Sequence, residues 1–496
     1  MMIKRIIALL AVLALTASLF TGCAGKTDVQ EKPGVTSAEK ETKESDNTSF
    51  KLSYTQGDSL DPFKAKTQNN QILSSLVFES LFDLNENYEP TPNIATEYEF
   101  IDSKTLKVKY DTSVVFSNGT KVTNEDMLFS FRAAKKSPAY GNSLQYISYA
   151  EAEGDTLYFY LSHPNPYAVN LLTYPISSVY DDDDGFPIGS GRYCFKNSDG
   201  KPVLKVNPNS DFNPYLTTIS LVNIAAADSI DNAVNIGNIS YAFRDLSSSV
   251  SKRMSCAKKL VNMNNLVYIG INSMAGIGAN EHIRQAISLA VDRSACVKTA
   301  YSGYAVAASS PFNPACDIAK NVKIFAGEAD IATARQAVAQ SKLSDKALKL
   351  TILVNKNTNR VAVATLLKSQ LEAAGISAKI DKVDSKEYTR RIKNIEFDIF
   401  VGEVKLSDDM SLYPFFDKKG GVRYGIDDGM ECAKLYKQFL SGDENLGKFI
   451  LKFNEEMPFV PILYKKGMIC YTKSMHGDMQ GYYGNYFANI ESWSFR

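Results

Sequence analysis

Histidine is scarce in this chain: His163, His282 and His476 are the only three in 496 residues. With no His-Glu-x-x-His among them, histidine-based metal or proton-transfer chemistry has little to work with. Tryptophan occurs once, as Trp493 near the tail, so stacking on a ligand must come from tyrosines and phenylalanines, which are core residues by default. Gly-x-Ser-x-Gly is missing, which removes the usual serine nucleophile turn. None of the seven cysteines forms a Cys-x-x-Cys pair, so zinc has no nucleus. Charge excess is missing as well: 55 basic side chains stand against 55 acidic ones, and no basic tract is large enough for nucleic acid. No long apolar run follows the first twenty residues, so the body is expected to be soluble.

What is present begins at the N-terminus. Lys4 and Arg5 precede an apolar run from Ile6 to about Leu15, and then comes Leu19-Phe20-Thr21-Gly22-Cys23. Residues 1–22 read as a lipoprotein signal peptide, with Cys23 as the acylated residue of a bacterial lipobox. Two or more acyl chains anchor a protein firmly, so the expected location is the outer face of the cell membrane. That is the extracellular side in a single-membrane bacterium and the periplasmic side where there is an outer membrane. Residues 23–49 lack aromatics and read as a disordered tether. From Phe50 the composition is globular and too long for one core, which implies at least two lobes. The six later cysteines are expected to be buried thiols rather than disulfides. Asp181 to Asp184, followed by Gly185 and Pro187, reads as a solvated turn rather than a calcium site.

Periodicity places strands at 51–54, 105–110 and 155–161, and a helix at 68–81. Thr123 with Asp126 predicts a capping box opening a helix through Phe131. Further on, strands at 348–354, 376–383 and 397–401 alternate with helices at 360–374, stopped by Gly375, and at 385–393, capped by Ser385. This β-α-β-α-β order predicts a mostly parallel sheet. Ligands of such sheets sit beyond the carboxyl ends of the strands, which points to the loop from Gly402 to Met410.

Several segments in order resemble one family. Leu60-Asp61-Pro62, Phe78-Glu79-Ser80-Leu81, Phe116-Ser117-Asn118-Gly119-Thr120, Gly189-Ser190-Gly191-Arg192-Tyr193 and Ile283-Arg284-Gln285-Ala286 through Asp292-Arg293 are similar to motifs of the bacterial extracellular solute-binding proteins of family 5. These serve ABC importers of oligopeptides, dipeptides and nickel. Pro458 to Ile462 falls where a return strand carries prolines. Most of these motifs read as structural, with Arg284 and Asp292 expected to pair. The resemblance implies an α/β fold of the two-lobed periplasmic-binding-protein type (type II, cluster C), with an extra β-rich subdomain on the first lobe. Lobe I would comprise 50–84, 185–264 and 463–496, the extra subdomain 85–184, and lobe II 265–462. Crossing strands are expected near 266–272 and 459–464. The implied function is capture of a small solute, peptide favoured, and delivery to ABC permease subunits by a monomeric lipid-anchored protein. No cofactor and no catalysis are implied.

The resemblance also marks a departure. In peptide-binding members, the loop after the last strand carries an aspartate that pairs with the peptide's amino group. Here Leu406 stands at that place, and Glu403 replaces a tryptophan. Glu403, Asp408 or Asp409 must then supply the counter-charge, or the ligand has no free amine there. Lys405, Asn272, Tyr388 and Arg423 complete the candidate ligand set, with Arg390, Arg391 and Tyr424 as weaker neighbours. A nickel chelate, a sugar or another solute stays open, as does a ligand-sensing surface receptor. Glu403 and Asp408 as the acid and base of a glycosidase form the least supported reading.

Overall fold

The computed structural model describes residues 49–246, 255–418 and 420–495, so the expected signal peptide, Cys23 and the expected tether lie outside the described residues. Thr123 caps the helix Asn124–Lys136, and its reciprocal bonds with Asp126 close the expected capping box. That helix packs against a four-stranded antiparallel sheet of Ala95–Asp102, Thr105–Tyr110, Thr156–Leu161 and Ile147–Glu153, in that spatial order. Alternation in Thr105–Tyr110 turns Leu106 and Val108 inward, where they meet Phe131 and Phe159 in the core of the β-rich subdomain.

In lobe I, Phe50–Tyr54 pairs in parallel with Thr218–Asn223, and Lys201–Val206 and Tyr193–Ser198 extend the sheet. Trp493, fully buried, packs on Phe50 and Tyr241 beneath it. The first helix is Gln68–Val77, four residues shorter than periodicity predicts. Its end has a tertiary cause: the Val77 carbonyl accepts from the N–H of Gly191, and Phe78 is already extended. A Cβ on Gly191 would lie 2.5 Å from the Val77 carbonyl carbon, so only glycine permits this approach.

A seven-stranded sheet corrects the mostly parallel expectation. Only Lys349–Asn355, Ser377–Val383 and Ile399–Lys405 are mutually parallel. The long strands Ala257–Ile271 and Phe459–Tyr471 join antiparallel, as do Tyr241–Arg244 and Ala305–Ala307. The two long strands contain the expected crossing segments, and the proposed boundaries after residues 264 and 462 fall inside them. Their pairing shifts register between Val267 and Tyr268, opposite Pro461, which has no N–H to donate. Helix Thr358–Ala373 ends before Gly375, whose φ of +95° suits its place beyond the cap. Asp384, not Ser385, caps Ser385–Lys393, because its carboxylate accepts from the N–H groups of Lys386 and Glu387.

Two further expectations change. Arg284 does not pair with Asp292 but donates to the carbonyls of Glu456, Gly278 and Ala279, while Asp292 caps the next turn. The strand Ile399–Lys405 runs past Gly402, so the loop starts only at Leu406. The acidic run is a solvated turn in which the Asp182 carboxylate accepts from the N–H groups of Asp184 and Phe186. Among the described residues no helix is long and apolar enough to cross a membrane, and all six cysteines are thiols.

Candidate functional site

Strand Ile399–Lys405 brings Glu403 and Lys405, two residues apart and therefore on one face, to the level of the crossing strands. Glu403 accepts from Asn265 Nδ2 at 3.1 Å and from Lys465 Nζ at 3.0 Å, with Arg360 Nη1 3.8 Å away. The Lys465 side chain is only 2% exposed, so this ion pair is largely removed from water. Arg360 reaches the site from the first turn of Thr358–Ala373, held by Asn355 Oδ1 at 3.1 Å. Glu403 and Arg360 line a cavity of about 470 Å³ with Tyr268, Tyr388 and Tyr424. Tyr388 donates its hydroxyl to the Val401 carbonyl at 2.7 Å. Nearby, the buried Tyr301 hydroxyl makes no hydrogen bond among the described residues.

The following loop is tied down. Leu406 is fully buried in the largest hydrophobic core, where it anchors the loop and offers no polar group to a ligand. Asp409 accepts from Asn165 Nδ2 at 2.7 Å, from the Ser407 hydroxyl and from the Ser411 N–H at 3.1 Å. Burial raises its pKa, and those three bonds oppose the rise. Asp408 accepts from Asn264 Nδ2 at 3.1 Å. Burial pushes its pKa up to about 6; Lys405 opposes this and Asp409 adds to it. Asn170 donates to the Asp408 carbonyl, and His163 meets Asp417 at 3.1 Å while stacking on Tyr413. This stretch of lobe II is thereby knitted to residues 163–170 of the β-rich subdomain.

Facing Lys405 is an aromatic wall. Its ammonium lies 4.6 Å from the ring centre of Tyr483, a cation–π contact. Tyr140, whose pKa burial raises and Ser74 and Lys405 lower, stands beside it. Tyr140 also borders a cavity of about 730 Å³ lined by Glu79, Asp83, Arg192 and Asn485. Burial raises the pKa of Glu79; Ser190 and Arg192 lower it, and Asp83 raises it further. Burial likewise raises Asp83 against the pull of Ser80 and Arg192. Arg192 does not chelate either acid: its guanidinium donates to the carbonyls of Phe487 at 2.8 Å and Ser75 at 3.2 Å. The Asn485 amide nitrogen points to Asp83 at 3.4 Å, and its buried carbonyl oxygen has no partner among the described residues.

The structure therefore brings Glu403 and Tyr388 into one cavity and Lys405 to the aromatic wall, and it ties Asp408 and Asp409 into loop contacts. Asn272 bonds the backbone of Phe397 and Met274, and Arg423 pairs with Asp428. Arg390 pairs with Glu387 and Glu396 on an exposed face, and Arg391 with Asp381. Sequence reasoning did not single out Asp83, Tyr140, Arg192, Arg360, Lys465 or Tyr483 as site residues. Glu79 and Arg192 stood within noted motifs but were read as structural. An acid followed four residues later by another, in an otherwise apolar run, was the available signal.

Comparison with known proteins gives a consistent picture. The family model described as bacterial extracellular solute-binding proteins, family 5 Middle, matches residues 89–422. The oligopeptide-binding protein AppA of Bacillus subtilis (strain 168) is 23% identical over 437 residues, covering 78% of this chain and 80% of the relative. The nickel-binding protein NikA of Staphylococcus aureus (strain NCTC 8325 / PS 47) is 24% identical over 329 residues, covering 62% and 65%. A solved ABC transporter substrate-binding protein from Sinorhizobium meliloti shares the fold with a TM-score of 0.70 at 18% identity, over 90% of this chain and all of that one.

Proposed function

Since this chain belongs to the bacterial extracellular solute-binding proteins of family 5, we propose that it captures a small solute, an oligopeptide or dipeptide by preference, between its two lobes for delivery to the membrane subunits of an ABC importer. The observation that carries the reading is the contact of Lys405 with Tyr483, beside Tyr140 and the cavity that Glu79 and Asp83 line. On this reading the ligand ammonium is met by Glu79 and Asp83, since Leu406 is buried and the loop carboxylates already have partners. Arg360, beside Glu403 in its own cavity, is the candidate partner for an acidic group of the ligand. A nickel chelate or another non-peptide solute is the second reading, favoured by the missing loop aspartate at Leu406. Binding rather than catalysis is supported by the engagement of Glu403 with Lys465 and of Asp408 with Asn264, the two carboxylates that a glycosidase reading would use.

The test is small-angle scattering with a ligand identified by mass spectrometry of what co-purifies. Ligand should shrink the radius of gyration as the lobes close about Ala257–Ile271 and Phe459–Tyr471. An unchanged radius with a tightly bound ligand rejects hinge closure. We further propose a monomer held at the membrane through acylated Cys23. Cys23→Ala should appear in the medium or remain unprocessed; a processed mutant still retained on the membrane would exclude the anchor.

A further inference from the structure

Two of the six described thiols meet at the lobe I end of the crossing strands. Cys256 stands one residue before Ala257–Ile271, and Cys470 lies on Phe459–Tyr471. Lys258 is the Cα partner of Cys470 and Ala257 that of Tyr471, so position 256 falls on the same face as Cys470, diagonal to it. Both pack in one apolar cluster with Ile230, Val234 and Met468. Cys470 is buried and Cys256 partly exposed, so a reagent from solvent meets Cys256 first. Cys194, Cys296, Cys316 and Cys432 are buried on separate elements.

We propose that Cys256 and Cys470 form a dithiol site that closes to a disulfide across the two crossing strands, by exchange with a low-molecular-weight disulfide such as oxidised glutathione. Cys256 gives its proton to solvent, and its thiolate attacks one sulfur of the reagent. That S–S bond breaks, one thiol leaves, and a mixed disulfide forms on Cys256. Cys470 then loses its proton and attacks the Cys256 sulfur, expelling the second thiol. The two cysteines are oxidised by two electrons, and the reagent is reduced to two thiols, so nothing else is consumed.

Geometry makes the step demanding but attainable. Diagonal neighbours sit about 7–8 Å apart between Cα atoms in a regular ladder, just outside the range of about 4.4–6.8 Å for a disulfide. Cys256 precedes the first ladder pair, where no strand partner fixes its backbone, and its side chain packs against the cluster that contains Cys470. Burial raises the pKa of both thiols, so exchange should accelerate as pH rises. The bridge ties the start of one crossing strand to the end of the other, and to Tyr241–Arg244 through the pairing of Ala242 with Cys470.

The experiment exposes the full chain to oxidised glutathione at mildly alkaline pH, quenches with acid, alkylates in denaturant and maps peptides by mass spectrometry. The expected result is a loss of about 2 Da, two fewer alkylated cysteines and one cross-linked peptide pair joining 256 to 470. Cys256→Ser and Cys470→Ser should each abolish the cross-link, and Cys470→Ser should retain a glutathione adduct on Cys256. Alkylation of both cysteines after treatment, a stable adduct on wild-type Cys256 without a cross-link, or a cross-link to another cysteine overturns the proposal. The wild-type map decides the question even where a variant folds poorly.

Discussion

Glu403→Ala should lower the unfolding free energy by about 2–4 kcal/mol, because it strips a carboxylate from a charge held inside the protein. Lys465 is 2% exposed, and the Glu403 oxygen lies 3.0 Å from its ammonium. Removing one member of a buried pair leaves the other ion desolvated, which costs more than the pair contributes when intact. The Glu403 side chain is 19% exposed and water reaches part of it, which keeps the estimate below the top of the usual range of about 3–5 kcal/mol. Asn265 also loses the acceptor for its amide, and Arg360 loses a neighbouring negative charge. Glu403→Gln keeps the size and an acceptor oxygen, so its loss should be smaller. Chemical denaturation followed through lobe II tyrosine fluorescence is the measurement. A midpoint for Glu403→Ala equal to wild type would show that the pair carries no net stability.

Glu79→Gln or Asp83→Asn should weaken an amine-bearing ligand by about 2–5 kcal/mol, the cost of truncating one partner of a buried charge pair. The ligand-free protein should respond in the opposite sense. Burial raises both pKa values, so the folded state holds these protons more tightly than the unfolded chain. Stability from these groups is therefore present at low pH and falls as pH rises from the ordinary carboxylate range through the raised values. Above that window the ionised acids oppose folding, and neutral replacements should leave the empty protein as stable or more so. Ligand affinity runs the other way, because the ammonium requires ionised carboxylates and binding should weaken as pH falls through the same window. Calorimetry across pH separates the cases, with an N-acetylated ligand as the control. Unchanged affinity in both variants, or parallel loss of stability and affinity, would remove the two acids from ligand recognition.

Features governed by a few neighbouring residues were legible in the sequence. The capping box of Thr123 and Asp126, the Gly375 stop and the alternation of 105–110 each depend on contacts within one or two turns. Ordered motifs, each short and local, were sufficient to identify the family. The mostly parallel sheet was a misreading for the same reason: local order recovers the three parallel strands but cannot count antiparallel strands arriving from residues 241–271 and 459–471. Glu403, Asp408 and Asp409 look alike as acids in one short segment. Only the fold gave them different partners: Lys465, Asn264 and, from 244 residues away, Asn165. Helix Gln68–Val77 stops where a glycine of another segment reaches its last carbonyl, which no periodicity contains. The composition and local spacing of this chain thus determine its elements and its kinship. The charge environment of the cleft, with Glu79 and Asp83 raised by burial and Lys405 set against Tyr483, was decided by tertiary structure alone, since desolvation and Coulomb interactions depend on distance in space and not along the chain.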